Sequence, residues 1–161
     1  MYRLLVAFAG WLQNTPMALS VGGSDWAYPY IQLTHFTGLS LWLGTSIAVD
    51  LRFIGLIKGI EKPSRLSDAL FVLNWCGFGI AVTGGFLLFS ISAQTFILNP
   101  AFRTKLGILL PLALVAHVIV QTKADAWSRP PEPPALAKIT SSIELLLWLC
   151  VATAAVSIPY F

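Results

Sequence analysis

Apolar positions along the chain fall into four long runs, separated by short charged or proline-rich breaks. A membrane-crossing helix needs about 20 mostly apolar residues, each advancing about 1.5 Å through a hydrocarbon layer roughly 30 Å thick. Runs of that length cover residues 29–57, 68–93, 101–122 and 139–160. Between Ala69 and Phe102 no charged residue occurs, and Gly77, Gly79, Gly84 and Gly85 there suit close helix–helix approach. Pro111 is expected to kink the third run. Ahead of them, Leu4, Leu5, Phe8, Trp11 and Leu12 recur at helical spacing in a segment too short to span. This predicts an interfacial helix over residues 2–13, ending at Asn14-Thr-Pro16. The expected fold is all-α: a four-helix transmembrane bundle with a short N-terminal interfacial helix, one integral membrane domain over residues 1–161.

Composition agrees. The chain is 57% hydrophobic and 11% charged, with 10 Lys+Arg and 7 Asp+Glu, whereas soluble domains are about 25% charged. That excludes a soluble globular domain, and the high hydrophobicity excludes a disordered chain. Two cysteines, Cys76 and Cys150, cannot build a disulfide scaffold or a CxxC metal site. Basic residues also set an orientation. Arg52, Lys58, Lys62, Arg65, Lys123, Arg129 and Lys138 flank the first and third loops, against Arg3, Arg103 and Lys105 on the other side. The positive-inside rule then places both termini outside the inner membrane of a bacterium, with Trp26, Tyr28, Tyr30, Tyr160 and Phe161 as an outer aromatic belt. Because the cations are divided among loops and form no stripe, nucleic acid is not an expected partner.

Polar residues inside a span are costly and raise a functional question. Counting helix rise from the middle of each span puts His35 roughly 12 Å toward the outside and His117 roughly 7 Å toward the cytoplasm. Nearly 20 Å of depth, on that same rough rise, would separate the two imidazoles, so one subunit cannot supply both axial ligands of an upright haem. At the level of His117 the other helices offer Asp50, Arg52, Asn74, Ser141, Ser142 and Glu144, with Gln121 one turn away on the same helix. Asp50, Arg52, Asn74, Gln121 and Glu144 are thus expected to form a polar cluster around His117. Asp50 and Arg52, two residues apart, cannot both point into it. One faces the bundle and the other snorkels, or both merely mark the inner interface. A smaller outer group holds Gln32, His35, Ser90, Ser92 and Gln94. There His35 either lies against a flat ligand or is satisfied by Ser90 or water.

The segments Trp26-Ala-Tyr-Pro-Tyr30, His35-Phe-Thr-Gly-Leu-Ser-Leu-Trp-Leu-Gly44, Val49-Asp-Leu-Arg-Phe-Ile-Gly55, Thr83-Gly-Gly-Phe-Leu-Leu-Phe89 and Asn99-Pro-Ala-Phe-Arg-Thr-Lys105 resemble an uncharacterised family of small bacterial four-helix membrane proteins. The His-x-x-Gly and Trp-x-Gly elements are also similar to the wider CopD-like group, associated with copper handling. The resemblance implies a four-helix bundle with His35, Asp50, Arg52, Asn99, Arg103 and Lys105 on the family pattern. It implies no activity. The third span departs from the pattern, carrying His117 and Gln121 where relatives tend to have asparagine and histidine.

Three functions remain open from the residues. The first is a small subunit of a redox or electron-transfer assembly, with His35 and His117 as cofactor ligands, b-type haem as the candidate cofactor, or a quinone-facing surface. Within that reading a homo-oligomer or another membrane subunit completes the site. The second is proton, ion or metal transport through the inner cluster. Copper is disfavoured, since it prefers soft ligands and Met1 and Met17 lie outside the spans. The third is a structural accessory subunit. No nucleophile–base arrangement or phosphate loop is visible, so no free-standing enzyme is expected.

Overall fold

The computed structural model describes residues 2–59 and 62–160; Met1 and Phe161 lie outside the described residues. Those residues form α1 (Tyr2–Gln13), α2 (Pro16–Gly22), α3 (Ala27–Ile54), α4 (Pro63–Ile91), α5 (Ala93–Leu98), α6 (Pro100–Thr104), a π-helical turn (Lys105–Leu109), α7 (Leu110–Trp127) and α8 (Ala135–Ser157), which ends in a 3₁₀ turn (Ile158–Tyr160). No strand occurs among them. The protein is an all-helical membrane protein.

Pro63–Ile91, Pro100–Trp127 and Ala135–Tyr160 are each long and apolar enough to cross a bilayer. α3 is equally long but more polar, and it completes the bundle because its polar groups are satisfied locally or turned inward. Thr34, Thr37 and Ser40 donate to the carbonyls of Tyr30, Leu33 and Phe36, while Thr45, Ser46 and Asp50 are buried. Back-bonding of this kind removes much of the cost of a hydroxyl in hydrocarbon.

The closest helix pair is α3–α4, brought together by glycine. A Cβ on Gly38 would come within 2.5 Å of Ala81 N, and one on Gly77 within 2.7 Å of Trp42 N. Gly84 likewise lies against His35, whereas Gly79 meets nothing and is open to lipid. Pro111 produces no break: the π turn before it shifts the Leu110 N–H to the Lys105 carbonyl, widening the helix where proline would otherwise clash with a carbonyl one turn back.

Two short helices were not expected. The chain does not stop at Asn14-Thr-Pro16; Thr15 accepts from Ala18 N and starts α2. α1 and α2 meet at 64°, and as a pair they are apolar enough for a broken span or a re-entrant loop. α1 packs Ala9 and Leu12 on Ala93, beside Phe89 and Ile97. α5 fills the connection after α4, and Asn99 then caps α6 by accepting from Phe102 N. The molecule therefore has a loop end, carrying the α3–α4 and α7–α8 connections, and a terminal end, carrying α1, α2, α5 and the final 3₁₀ turn.

Candidate proton site in the bundle interior

All four long helices contribute to one buried polar cluster. His117 on α7 is 1% exposed, Asn74 on α4 1%, and Asp50 on α3 and Glu144 on α8 are both 0%. His117 Nδ1 lies 2.8 Å from Glu144 Oε1, and its Nε2 lies 3.0 Å from Asn74 Oδ1.

The surrounding bonds say where the protons are. Thr45 Oγ1 donates to the carbonyls of Leu41 and Trp42, and Ser46 Oγ donates to Trp42. Both hydroxyls are thereby left as acceptors, and Asn74 Nδ2 donates to them at 2.8 and 2.9 Å, and to the Trp42 carbonyl at 3.0 Å. Asn74 thus turns its carbonyl oxygen to His117, and only an N–H can satisfy that oxygen. Nε2 therefore carries a proton. Glu144 Oε1 accepts from Trp148 Nε1 at 3.0 Å, and the remaining contact, to His117 Nδ1, holds one further proton. That proton sits either on the imidazole, as an ion pair, or on the carboxyl.

The rest of the cluster is unsatisfied. Neither oxygen of Asp50, nor Glu144 Oε2, nor Ser141 Oγ, has a hydrogen-bond partner among the described residues, and the indole nitrogens of Trp42 and Trp75 share that state. Asp50 faces the Glu144 carboxyl and the Ser141 hydroxyl, both placed to hydrogen-bond with it. Buried polar groups are nearly always paired, so two carboxyl groups facing each other, with only the Ser141 hydroxyl beside Asp50, mark a place for a proton or another cation. Among the described residues no group of three or more His, Cys, Asp or Glu side chains could hold a metal ion.

Aromatic and aliphatic layers close the cluster. Trp42, Trp75 and Trp148 surround His117, with ring centroids 6.5, 5.7 and 6.4 Å away. On the terminal side Trp42 packs edge-on against Phe78 and Trp148, over Ala81 and Ala113. On the loop side Phe53 meets Trp127 at 5.8 Å within a layer of Val49, Val120, Ala124 and Ala137.

Of the residues assigned to the cluster from sequence, Asp50, Asn74, His117 and Glu144 come together here. Arg52 and Gln121 do not. Arg52 donates to the Ile57 and Gly59 carbonyls after α3, because two residues rotate a helix by about 200° and Asp50 takes the inward face. Gln121 accepts from Ser67, one layer nearer the loop end. Trp42, Thr45, Ser46, Trp75 and Trp148 were not singled out as cluster residues. The signal was present, since Trp42, Thr45, Ser46 and Asp50, and likewise Glu144 and Trp148, recur at one helix face.

His35 lies apart. Its α4 neighbours, Ala81 and Gly84, are seven and ten residues beyond Asn74, about 10–15 Å along the helix. Its Nδ1 bonds the Ala81 carbonyl at 2.7 Å, not Ser90, whose hydroxyl donates to Leu87. Both nitrogens of His117 are engaged as folded, whereas His35 Nε2 has no hydrogen-bond partner among the described residues.

Fold and site define a helical membrane bundle with a sealed histidine–carboxylate cluster. Compared with family models, curated proteins and solved structures, the chain finds no match.

Proposed function

We propose that this protein handles protons within the membrane, taking up and releasing them at the His117–Glu144–Asp50 cluster as a proton-translocating bundle. The observation that carries the reading is Asp50: a fully buried carboxyl with no short hydrogen bond at either oxygen and only the Ser141 hydroxyl beside it, facing a second carboxyl already tied to an imidazole. A network serving only to hold helices would have no use for an unpaired acid, because each unpartnered buried group destabilises the fold. The two apolar layers make the arrangement that of an occluded site. The excess of cations at the loop end supports placing that end in the cytoplasm of a bacterium, with both termini outside the inner membrane.

The test is proton flux into vesicles holding a trapped pH dye, driven by an imposed potential. Flux is expected with the native chain and not with Glu144→Gln or Asp50→Asn. Native vesicles no leakier than empty ones would refute transport.

A second reading, a small subunit of an electron-transfer assembly facing b-type haem or a quinone, draws support from His35. A histidine whose Nδ1 is fixed on a backbone carbonyl while Nε2 stays open has the geometry of a ligand side chain. In that reading another membrane subunit or a second copy completes the site, and the visible spectrum of the purified protein tests it.

A further inference from the structure

The terminal end carries a second polar constellation that the proton site does not use. A carbonyl oxygen can only accept, so the 2.7 Å contact between His35 Nδ1 and Ala81 O places the proton on Nδ1 and leaves Nε2 presenting a lone pair. The ring is held against bare backbone, for a Cβ at Gly85 would come within 3.0 Å of His35 Cε1. One turn further along α4, Phe89 stacks on Phe102 with centroids 5.3 Å apart and planes 6° from parallel, and Phe96 joins them 5.2 Å from Phe102. Lys105 places its Nζ 5.2 Å from the centre of the Phe102 ring and acts electrostatically on His35. No carboxylate forms an ion pair with Lys105 among the described residues. Lys105 also opens the π turn, a distortion that recurs at functional positions in helices.

We propose that His35 and Lys105, with the Phe89–Phe102 stack, bind the ring of a membrane-soluble quinol. The donor and acceptor pattern selects this chemistry. A ring hydroxyl donates to Nε2, a second ring oxygen accepts from the Lys105 ammonium, and the flat apolar ring lies among flat apolar neighbours. A simple anion would satisfy Lys105 but face the Nε2 lone pair, and a haem iron would use Nε2 but leave Lys105 unmatched. The proposal concerns binding only and rests on the second reading above.

The experiment uses the full chain in detergent micelles and a short-tailed benzoquinol carrying a photoreactive group. Saturable labelling of peptides around His35 and Lys105 is expected. Lys105→Met and His35→Phe should each weaken it by about tenfold, the equivalent of one hydrogen bond, with Gln121→Ala as the unchanged control. The Lys105 side chain contacts the Phe102 ring and forms no ion pair among the described residues, so Lys105→Met keeps the fold if His35→Phe does not. Absence of saturable labelling, or labelling unmoved by Lys105→Met, overturns the proposal. So does displacement of the probe by anionic but not neutral lipid. A haem absorption band lost in His35→Phe would overturn it while keeping the second reading; no band and no labelling would remove both.

Discussion

The two histidines occupy the same bundle under opposite conditions. His117 has both nitrogens bonded to side chains of other helices, which are themselves oriented by further bonds from α3 and α8. His35 has one bond, to a backbone carbonyl, and a free nitrogen at the terminal end. The difference shows that depth in a membrane is not what makes a polar residue available. Availability follows from how many neighbouring helices present a complementary group. Where four helices converge, a histidine becomes a fixed element with both nitrogens committed. Where two helices are drawn together by glycine, a ring can be positioned without being saturated.

The sharpest way to break this comparison is to remove Glu144. Glu144→Ala leaves His117 without its acid and Trp148 without its acceptor, and should destabilise the bundle by about 3–5 kcal/mol in detergent unfolding, the cost of breaking a buried pair. A loss no larger than that of His35→Ala would mean that the cluster is not the knot it looks like.

Second in size is the coupling within the pair. A double-mutant cycle with His117→Leu and Glu144→Gln should return about 0.6–1.7 kcal/mol, between the average and the maximum for side-chain bonds inside membranes. Additive single changes would place the shared proton elsewhere.

Asp50→Asn should leave stability unchanged or raise it, since it replaces an unpaired acid by a neutral isostere. The same variant should lose a protonated-carboxyl band in infrared difference spectra taken across a pH jump. Retention of that band would assign the carboxyl proton to a group other than Asp50.

The smallest effect is expected at Gln121. Its single 3.3 Å bond to Ser67 lies outside the cluster, and Gln121→Ala should cost about 0.6 kcal/mol with proton flux intact. Loss of flux would extend the site toward the loop end.

Much of this protein is determined by its sequence alone. The apolar runs foretold four long helices, whose observed limits extend or trim the expected spans by a few residues, and the N-terminal helix begins and ends as its periodicity indicates. Rise per residue is constant, so depth could be counted from residue numbers. It separated His35 from His117 and put Asp50, Asn74 and Glu144 near the level of His117.

Only the tertiary structure decided which of those residues meet. Rotation of each helix about its own axis is set by packing: Gly38 and Gly77 admit the α3–α4 approach that turns Asp50 inward and sends Arg52 to the loop. α2 and α5 were missed because short helices with few turns carry too weak a periodicity to stand out. The π turn ahead of Pro111 likewise has no one-dimensional signature. Proton positions are the furthest from sequence. They follow from a chain of donors and acceptors through Thr45, Ser46, Asn74, His117 and Glu144, and such a chain exists only once separate helices have been brought within hydrogen-bond distance.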